Sequence, residues 1–289
     1  MIGAGSGRVS SRIPAGHSGF TLIEIIIVII VLGIIGAIGA TFVTYTVEGY
    51  DAQTRRAALV DDTTLALSRM GRDIRAALPN SVRVTSSGSR IAIEMINVVA
   101  GERYRDGPGP NHNGDNAILK FNKPDDQFNV LPAMTQTLPA NTRLVIYNVG
   151  VSGANAYDNA NVITPASTAV SLAADTDETH VILSAPFRFA YRSPQQRIYF
   201  VDGPVSYVCD TAQHTLTRYS GYSLMATQPI GDSDFGATGA LAADDVAGCN
   251  FAYSPGTAQR AGVATLSLTL ARRGESVHLL EQVHVVNAP

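Results

Sequence analysis

The sequence predicts an α+β fold in which one long N-terminal helix packs on an antiparallel β-sheet. The helix is predicted because no proline occurs between Pro14 and Pro79, and the apolar residues there form first a continuous run and then a helical spacing. The sheet is predicted because short segments after Asn80 alternate apolar and polar residues between turn residues.

The first part of the predicted helix, residues 20–43, is apolar all round. Its only formal charge is Glu24. A helix needs about 20 apolar residues to cross a bilayer, so this segment is long enough to span a membrane. A carboxylate inside such a segment costs on the order of a few kcal/mol, so Glu24 calls for a partner.

The second part of the helix, residues 44–79, is amphipathic. Apolar residues recur there at the spacing of one helical face, at Leu59, Ala66, Leu67, Met70, Ile74, Ala77 and Leu78. This face is predicted to pack on a soluble domain. Pro79 pushes the preceding residue out of the helical region, so the helix is expected to end at Leu78.

The segment before the helix, residues 1–19, carries Arg8 and Arg12 and no acid, which favours keeping it in the cytoplasm. An ordinary signal peptide has a shorter apolar region, with its cleavage site after that region. A plain signal anchor explains the charge and the length, but it has no use for Glu24.

Residues 19–24 read Gly-Phe-Thr-Leu-Ile-Glu before the aliphatic run. This motif resembles the processing site of type IV pilins and type II secretion pseudopilins. The resemblance implies that a prepilin peptidase cuts after Gly19 and methylates the new amine of Phe20. It also implies that Glu24 pairs with the terminal amine of a neighbouring subunit. Ser18 stands where the family usually has a basic residue.

The remaining residues, 80–289, are predicted to form one β-rich domain outside the cytoplasm. Residues 150–176 are predicted as a loop, and residues 220–262 show no clear pattern. The predicted strands are Val82–Thr85, Arg90–Ile96, Ala117–Phe121, Arg143–Asn148, His180–Leu183, Arg197–Val201, Val205–Cys209, Thr215–Tyr219, Ala264–Ala271 and Ser276–Val286.

Cys209 and Cys249 are the two cysteines of the chain. In a domain outside the cytoplasm, a disulfide between them is the default expectation, and two buried free thiols are the alternative. A bridge that closes a loop of about forty residues would stabilise the fold by about 3–4 kcal/mol.

The charge and the motifs argue against several function classes. The net charge is −3, whereas a nucleic-acid-binding domain is basic, so no nucleic-acid partner is expected. The sequence lacks a phosphate-binding loop and the HExxH, GxSxG and CxxC motifs, so no enzyme activity, cofactor or metal site is predicted. His278 and His284 are interpreted as surface residues. Segment 111–116 is interpreted as a polar turn, with a calcium loop as the alternative.

A finer resemblance touches patches of the whole chain. Residues 75–84, 199–209 and 281–285 resemble the MshO group of minor pilins, from the mannose-sensitive haemagglutinin (MSHA) pilus. It implies a single-pass inner-membrane subunit with a periplasmic domain, which acts at or near the pilus tip. The implied partners are other major and minor pilins, the prepilin peptidase, the inner-membrane assembly platform and membrane lipid. A type II secretion minor pseudopilin and a membrane-anchored adhesin are the alternatives.

Overall fold

The computed structural model describes residues 19–109, 117–256 and 260–285. The chain divides into two compact units, Met1–Thr54 and Arg55–Pro289. One helix, α1, runs from Leu22 to Arg75 and contributes to both units. Residues 1–18 of the predicted leader and the oxygen-rich segment 111–116 lie outside the described residues.

The predicted α+β layout is confirmed: α1 is followed by antiparallel sheets. The strands of the larger sheet are β1 (Arg83–Ser87), β2 (Arg90–Tyr104), β3 (Asp125–Leu131), β4 (Arg143–Val145), β5 (Val170–Asp175), β6 (Glu178–Phe187), β7 (Arg197–Asp210), β8 (Thr215–Ser220) and β9 (Ala240–Ala243). Their order in the sheet is β5-β6-β3-β2-β7-β8-β9, while β1 also pairs with β2 and β4 with β7.

A smaller sheet consists of β10 (Val246–Ser254), β11 (Gly262–Arg272) and β12 (Glu275–Val285). Its strand order is β10-β11-β12. The β11–β12 hairpin runs in unbroken register from Arg272↔Glu275 to Gly262↔Val285. On β11, buried leucines alternate with half-buried polar residues, as the sequence pattern predicted.

The second half of α1 packs between the two sheets. Its predicted apolar face is buried, and this face shares a core with β2, β7, β10 and β11. The helical members of this core are Leu59, Ala66, Leu67, Met70 and Ile74. A separate core joins β3 and β6 to the far ends of β2 and β7, and it includes Phe128, Val181 and Phe200.

The helix ends at Arg75, three residues before the predicted end at Leu78. The reason is that the chain turns onto β2 before it reaches Pro79. The Leu78 amide donates to the Ile96 carbonyl at 2.8 Å, and the Val98 amide donates to the Ala76 carbonyl at 3.0 Å. These sheet bonds replace the helical bonds of the last turn.

The predicted strand Ala117–Phe121 is wrong, because the described chain there is a loop. The Asp125 carboxylate accepts a hydrogen bond from the Lys120 amide at 3.0 Å and so closes a turn. The strand begins only after this turn, at Asp125 itself. Because the first residues of this strand are polar, the sequence pattern did not reveal it.

Two further predictions needed correction in the larger sheet. The strands predicted at 197–201 and 205–209 are one strand, β7, which passes through Gly203 at a φ of 134°. Only glycine adopts this conformation readily, so the chain continues through a position that looks like a break. The loop predicted at 150–176 contains β5 at its end.

Candidate functional site

The start of α1 is capped by Thr21. Its Oγ1 accepts a hydrogen bond from the Glu24 amide at 3.3 Å, and its carbonyl accepts from the same amide at 3.1 Å. The first amides of a helix lack helical partners, so such a cap stabilises by about 1 kcal/mol. Gly19 and Phe20 precede the cap, outside the helix, and both are exposed.

Glu24 lies in the first turn of α1 and is exposed. The spacing from Thr21 to Glu24 is that of a capping box, a signal that the sequence analysis missed. A carboxylate at this position also interacts favourably with the positive end of the helix dipole. Glu24 therefore has a local role in starting the helix, in addition to the intersubunit role that the pilin resemblance implies.

The aliphatic residues that follow Glu24 contact no core within this unit. All described side chains from Leu22 to Gly39 are exposed, and so are residues 42–51. By length and composition this helix is long and apolar enough to cross a membrane. Exposed aliphatic surface costs about 25 cal/mol per Å² in water, so this surface requires lipid or other apolar helices.

In the second unit, a polar cluster near the end of α1 attaches the helix to the larger sheet. The Asp73 carboxylate accepts from the Tyr207 hydroxyl at 2.9 Å and from Arg218 Nε at 2.8 Å. Burial, followed by the nearby Asp73 carboxylate, raises the pKa of Tyr207 far above its usual range. Tyr207 therefore stays a neutral donor, and the cluster joins the helix to β7 and β8.

Two ion pairs join the same part of α1 to β12. Arg56 Nη2 lies 2.7 Å from Glu275 Oε2, and Arg75 Nη2 lies 3.3 Å from Glu281 Oε1. Both arginine side chains are more than half exposed, so each pair contributes at most about 1 kcal/mol. Their effect is to fix the position of the hairpin along the helix.

Cys209 of β7 and Cys249 of β10 form a disulfide, with their Cα atoms 6.6 Å apart. The bridge connects the two sheets at the core that contains the helix. It fits the predicted pairing. The motif of residues 19–24 and the disulfide belong to different compact units.

A buried carboxylate, which sequence reasoning missed, lies on β2. Glu94 is fully buried, pairs with Arg83 and accepts from the Tyr222 hydroxyl at 2.8 Å. Burial raises the pKa of Glu94, although Arg83 and Tyr222 oppose the shift. Its partners are Arg83, the residue opposite it on β1, and Tyr222, which is 128 residues away in the sequence.

The predicted surface histidines lie on the exposed side of β12. Both His278 and His284 are exposed, and Nδ1 of His278 lies 2.8 Å from Thr269 Oγ1. Across residues 19–109, 117–256 and 260–285, no three His, Cys, Asp or Glu side chains are grouped so that they could hold a metal ion.

An apolar helix with a lone acid in its first turn, followed by an antiparallel domain, defines a class of membrane-anchored chains. A family model described as the prokaryotic N-terminal methylation motif matches residues 15–40. The match supports a type IV pilin-like or pseudopilin-like protein, anchored in a membrane through α1 and associated with pilus or assembly components. Neither the curated proteins nor the solved structures gave a match to the chain.

Proposed function

We propose that this chain is a minor pilin that helps to initiate or cap assembly of a type IV pilus of the MSHA kind. In this proposal a prepilin peptidase cuts after Gly19, and Phe20 becomes the methylated first residue. The observation that carries the proposal is the aliphatic run of α1 behind a single acid, Glu24, in which every described side chain is exposed. Exposed aliphatic surface of this kind is unfavourable in water, so it requires lipid or other helices to cover it.

The aliphatic run lies first in the inner membrane and then among the helices of other major and minor pilins. The basic leader favours an orientation that puts the sheet domain in the periplasm. The Cys209–Cys249 disulfide supports this placement, because disulfides persist in oxidising compartments. The domain after residue 79 is large for a dense filament, which favours a low-copy subunit near the tip that contacts the inner-membrane platform during assembly.

Two alternative functions are supported by some of the same observations. A minor pseudopilin of type II secretion would have the same motif, helix and anchoring. A membrane-anchored adhesin is favoured by one observation, a cleft in the sheet domain whose lining includes Arg143, Asp202 and Asn141. We propose no enzymatic role, since the sequence contains none of the catalytic motifs sought.

Cleavage after Gly19 is tested by the intact mass of the mature chain. We expect residues 1–19 to be missing and one methyl group to be added to Phe20. A mature N-terminus near residue 40 would identify an ordinary signal peptide and would overturn the proposal.

The role of Glu24 in assembly is tested by comparing three variants at equal levels of mature protein. Glu24→Ala removes the charge and the carboxyl group, Glu24→Gln removes only the charge, and Thr21→Ala removes only the cap oxygen. Loss of a buried ionic partner costs about 3–5 kcal/mol, so both Glu24 variants should lower pilus number and recovery of partner pilins at least tenfold.

Cleavage and membrane insertion should persist in both Glu24 variants, since loss of a charge eases insertion. Thr21→Ala should assemble nearly as well as wild type. If Glu24→Gln assembles normally while Thr21→Ala fails, Glu24 acts through the helix cap, and the intersubunit pairing is wrong.

A further inference from the structure

A cleft of about 430 Å³ opens in the sheet domain. One wall comes from β4 and the segments on either side of it, and the other comes from the middle of β7 and the chain after β8. Its size falls in the range of small-molecule sites, roughly 300–1,000 Å³. The cleft is distant in sequence from the methylation motif, and the pilin proposal does not use it.

Arg143 is the cationic group of this cleft. Its Nε donates to the Thr164 carbonyl at 2.6 Å, and its Nη2 donates to Asn159 Oδ1 at 2.9 Å. These two bonds fix the plane of the guanidinium. Unlike Arg83 and Arg90, Arg143 forms no ion pair with a carboxylate in the part of the chain that the structure describes.

The positive charge of Arg143 is therefore only partly compensated. Burial lowers its pKa, the reverse of the shift at the paired Arg90 and Arg218. A charged group removed from water costs free energy unless an opposite charge approaches it. A ligand carboxylate would supply that charge, and guanidinium binds carboxylate in a two-pronged geometry.

The other polar groups of the cleft favour hydroxyls on the same ligand. Asp202 lines the cleft, and its Oδ1 accepts from Asn97 Nδ2 at 2.8 Å. Asn141 donates its amide to the Asp202 carbonyl at 2.6 Å, which orients its own oxygen. Ser223 is exposed at the rim. A simple anion would meet repulsion from Asp202, whereas sugar hydroxyls could donate to it.

From this arrangement we infer that the cleft binds a hydroxylated carboxylic acid of the uronic acid type. Its carboxylate lies on Arg143, and its hydroxyls lie on Asp202 and Asn141. The ligand is either a free sugar acid or one residue of an acidic polysaccharide, since both present the same chemistry. The inference does not depend on assembly of the chain into a filament.

The test is calorimetric titration of the full-length chain in detergent micelles with glucuronate, glucose and acetate. Glucuronate should bind saturably, and glucose and acetate should each bind at least about tenfold more weakly. No saturable binding of glucuronate would overturn the inference, and so would equal binding of glucose or acetate. Tighter binding of trigalacturonate than of glucuronate would assign the site to one residue of an acidic polysaccharide. Equal affinities would assign it to a free sugar acid.

Variants locate the binding in the cleft. Arg143→Gln should weaken glucuronate binding at least about tenfold. Ala166→Trp, at an exposed position of the cleft, should block it without touching Arg143. Arg197→Gln is the matched control, because Arg197 is exposed, lies outside the cleft and has no carboxylate partner within the described residues. Unchanged affinity in both cleft variants, with thermal unfolding as in wild type, would refute the site.

Discussion

Ile30 and Ile74 are the same residue type in the same helix, yet their exposed fractions are 56% and 0%. Around Ile74, two sheets of the chain supply the surface that the helix needs. Around Ile30, every described side chain of the helix points to solvent. The comparison teaches that one half of α1 finds its partner inside the chain, whereas the other half is built for lipid or other chains.

The largest effect is expected in the internal half of α1, the half that packs on the two sheets. Ile74→Ala should lower the free energy of unfolding of the sheet domain by about 2–5 kcal/mol, because it leaves a cavity in the core. Ile30→Ala is the matched control and should leave unfolding unchanged in detergent. Thermal and denaturant unfolding of both variants would check this. Equal losses at the two positions would contradict the distinction between the halves.

The disulfide sharpens the same comparison, because it ties together the sheets that enclose the internal half. Cys249→Ala should cost about 2–4 kcal/mol through the larger entropy of the unfolded chain. Peptide mapping without reductant should recover Cys209 and Cys249 joined in wild type. Recovery of both as alkylatable thiols in the native protein would rule out the bridge.

A smaller effect is expected at the polar cluster beside the helix end. Asp73→Asn keeps the shape but weakens two hydrogen bonds, from Tyr207 and Arg218, so it should cost about 1–3 kcal/mol. Asp62→Asn is the control, since Asp62 lies 3.9 Å from Arg272 at the surface. Urea unfolding would compare them. A loss at Asp62 as large as that at Asp73 would argue against a specific anchor.

The smallest effect is a pH dependence from Glu94. Burial raises its pKa above the ordinary 4.5, so the folded state holds this proton where the unfolded state has lost it. Stability therefore falls as pH rises from 4.5 through the raised pKa. Relative to Glu94→Gln, wild type should lose unfolding free energy as the pH rises from 4.5 through the raised pKa of Glu94. If the difference in unfolding free energy between wild type and Glu94→Gln does not change with pH, this prediction is wrong.

The helix could be predicted from sequence because its signals are local. The spacing of Leu59, Met70 and Ile74 marks a buried face whatever lies opposite. The end of the helix was less predictable, since hydrogen bonds to Ile96 and Val98 stop it before Pro79 does. Such partners lie on another strand and leave no trace in the helical pattern.

The sheet was predicted well where alternation was clean, as on β11, and poorly where polar residues begin a strand, as at Asp125. At the candidate site, the motif of Gly19, Phe20 and Glu24 is contiguous and therefore visible in the sequence. The cleft around Arg143 is assembled from separate segments, so only the folded chain reveals it.

The ion pairs between α1 and β12 have a consequence for biosynthesis. Arg56 and Glu275 are 219 residues apart, and Arg75 and Glu281 are 206 apart. Contacts between residues so distant in sequence form late in folding, so the helix gains its contacts with β12 only after the rest of the chain has been made. A chain truncated before Glu275 would therefore lack both ion pairs and the part of the helix core that Val283 and Val285 supply.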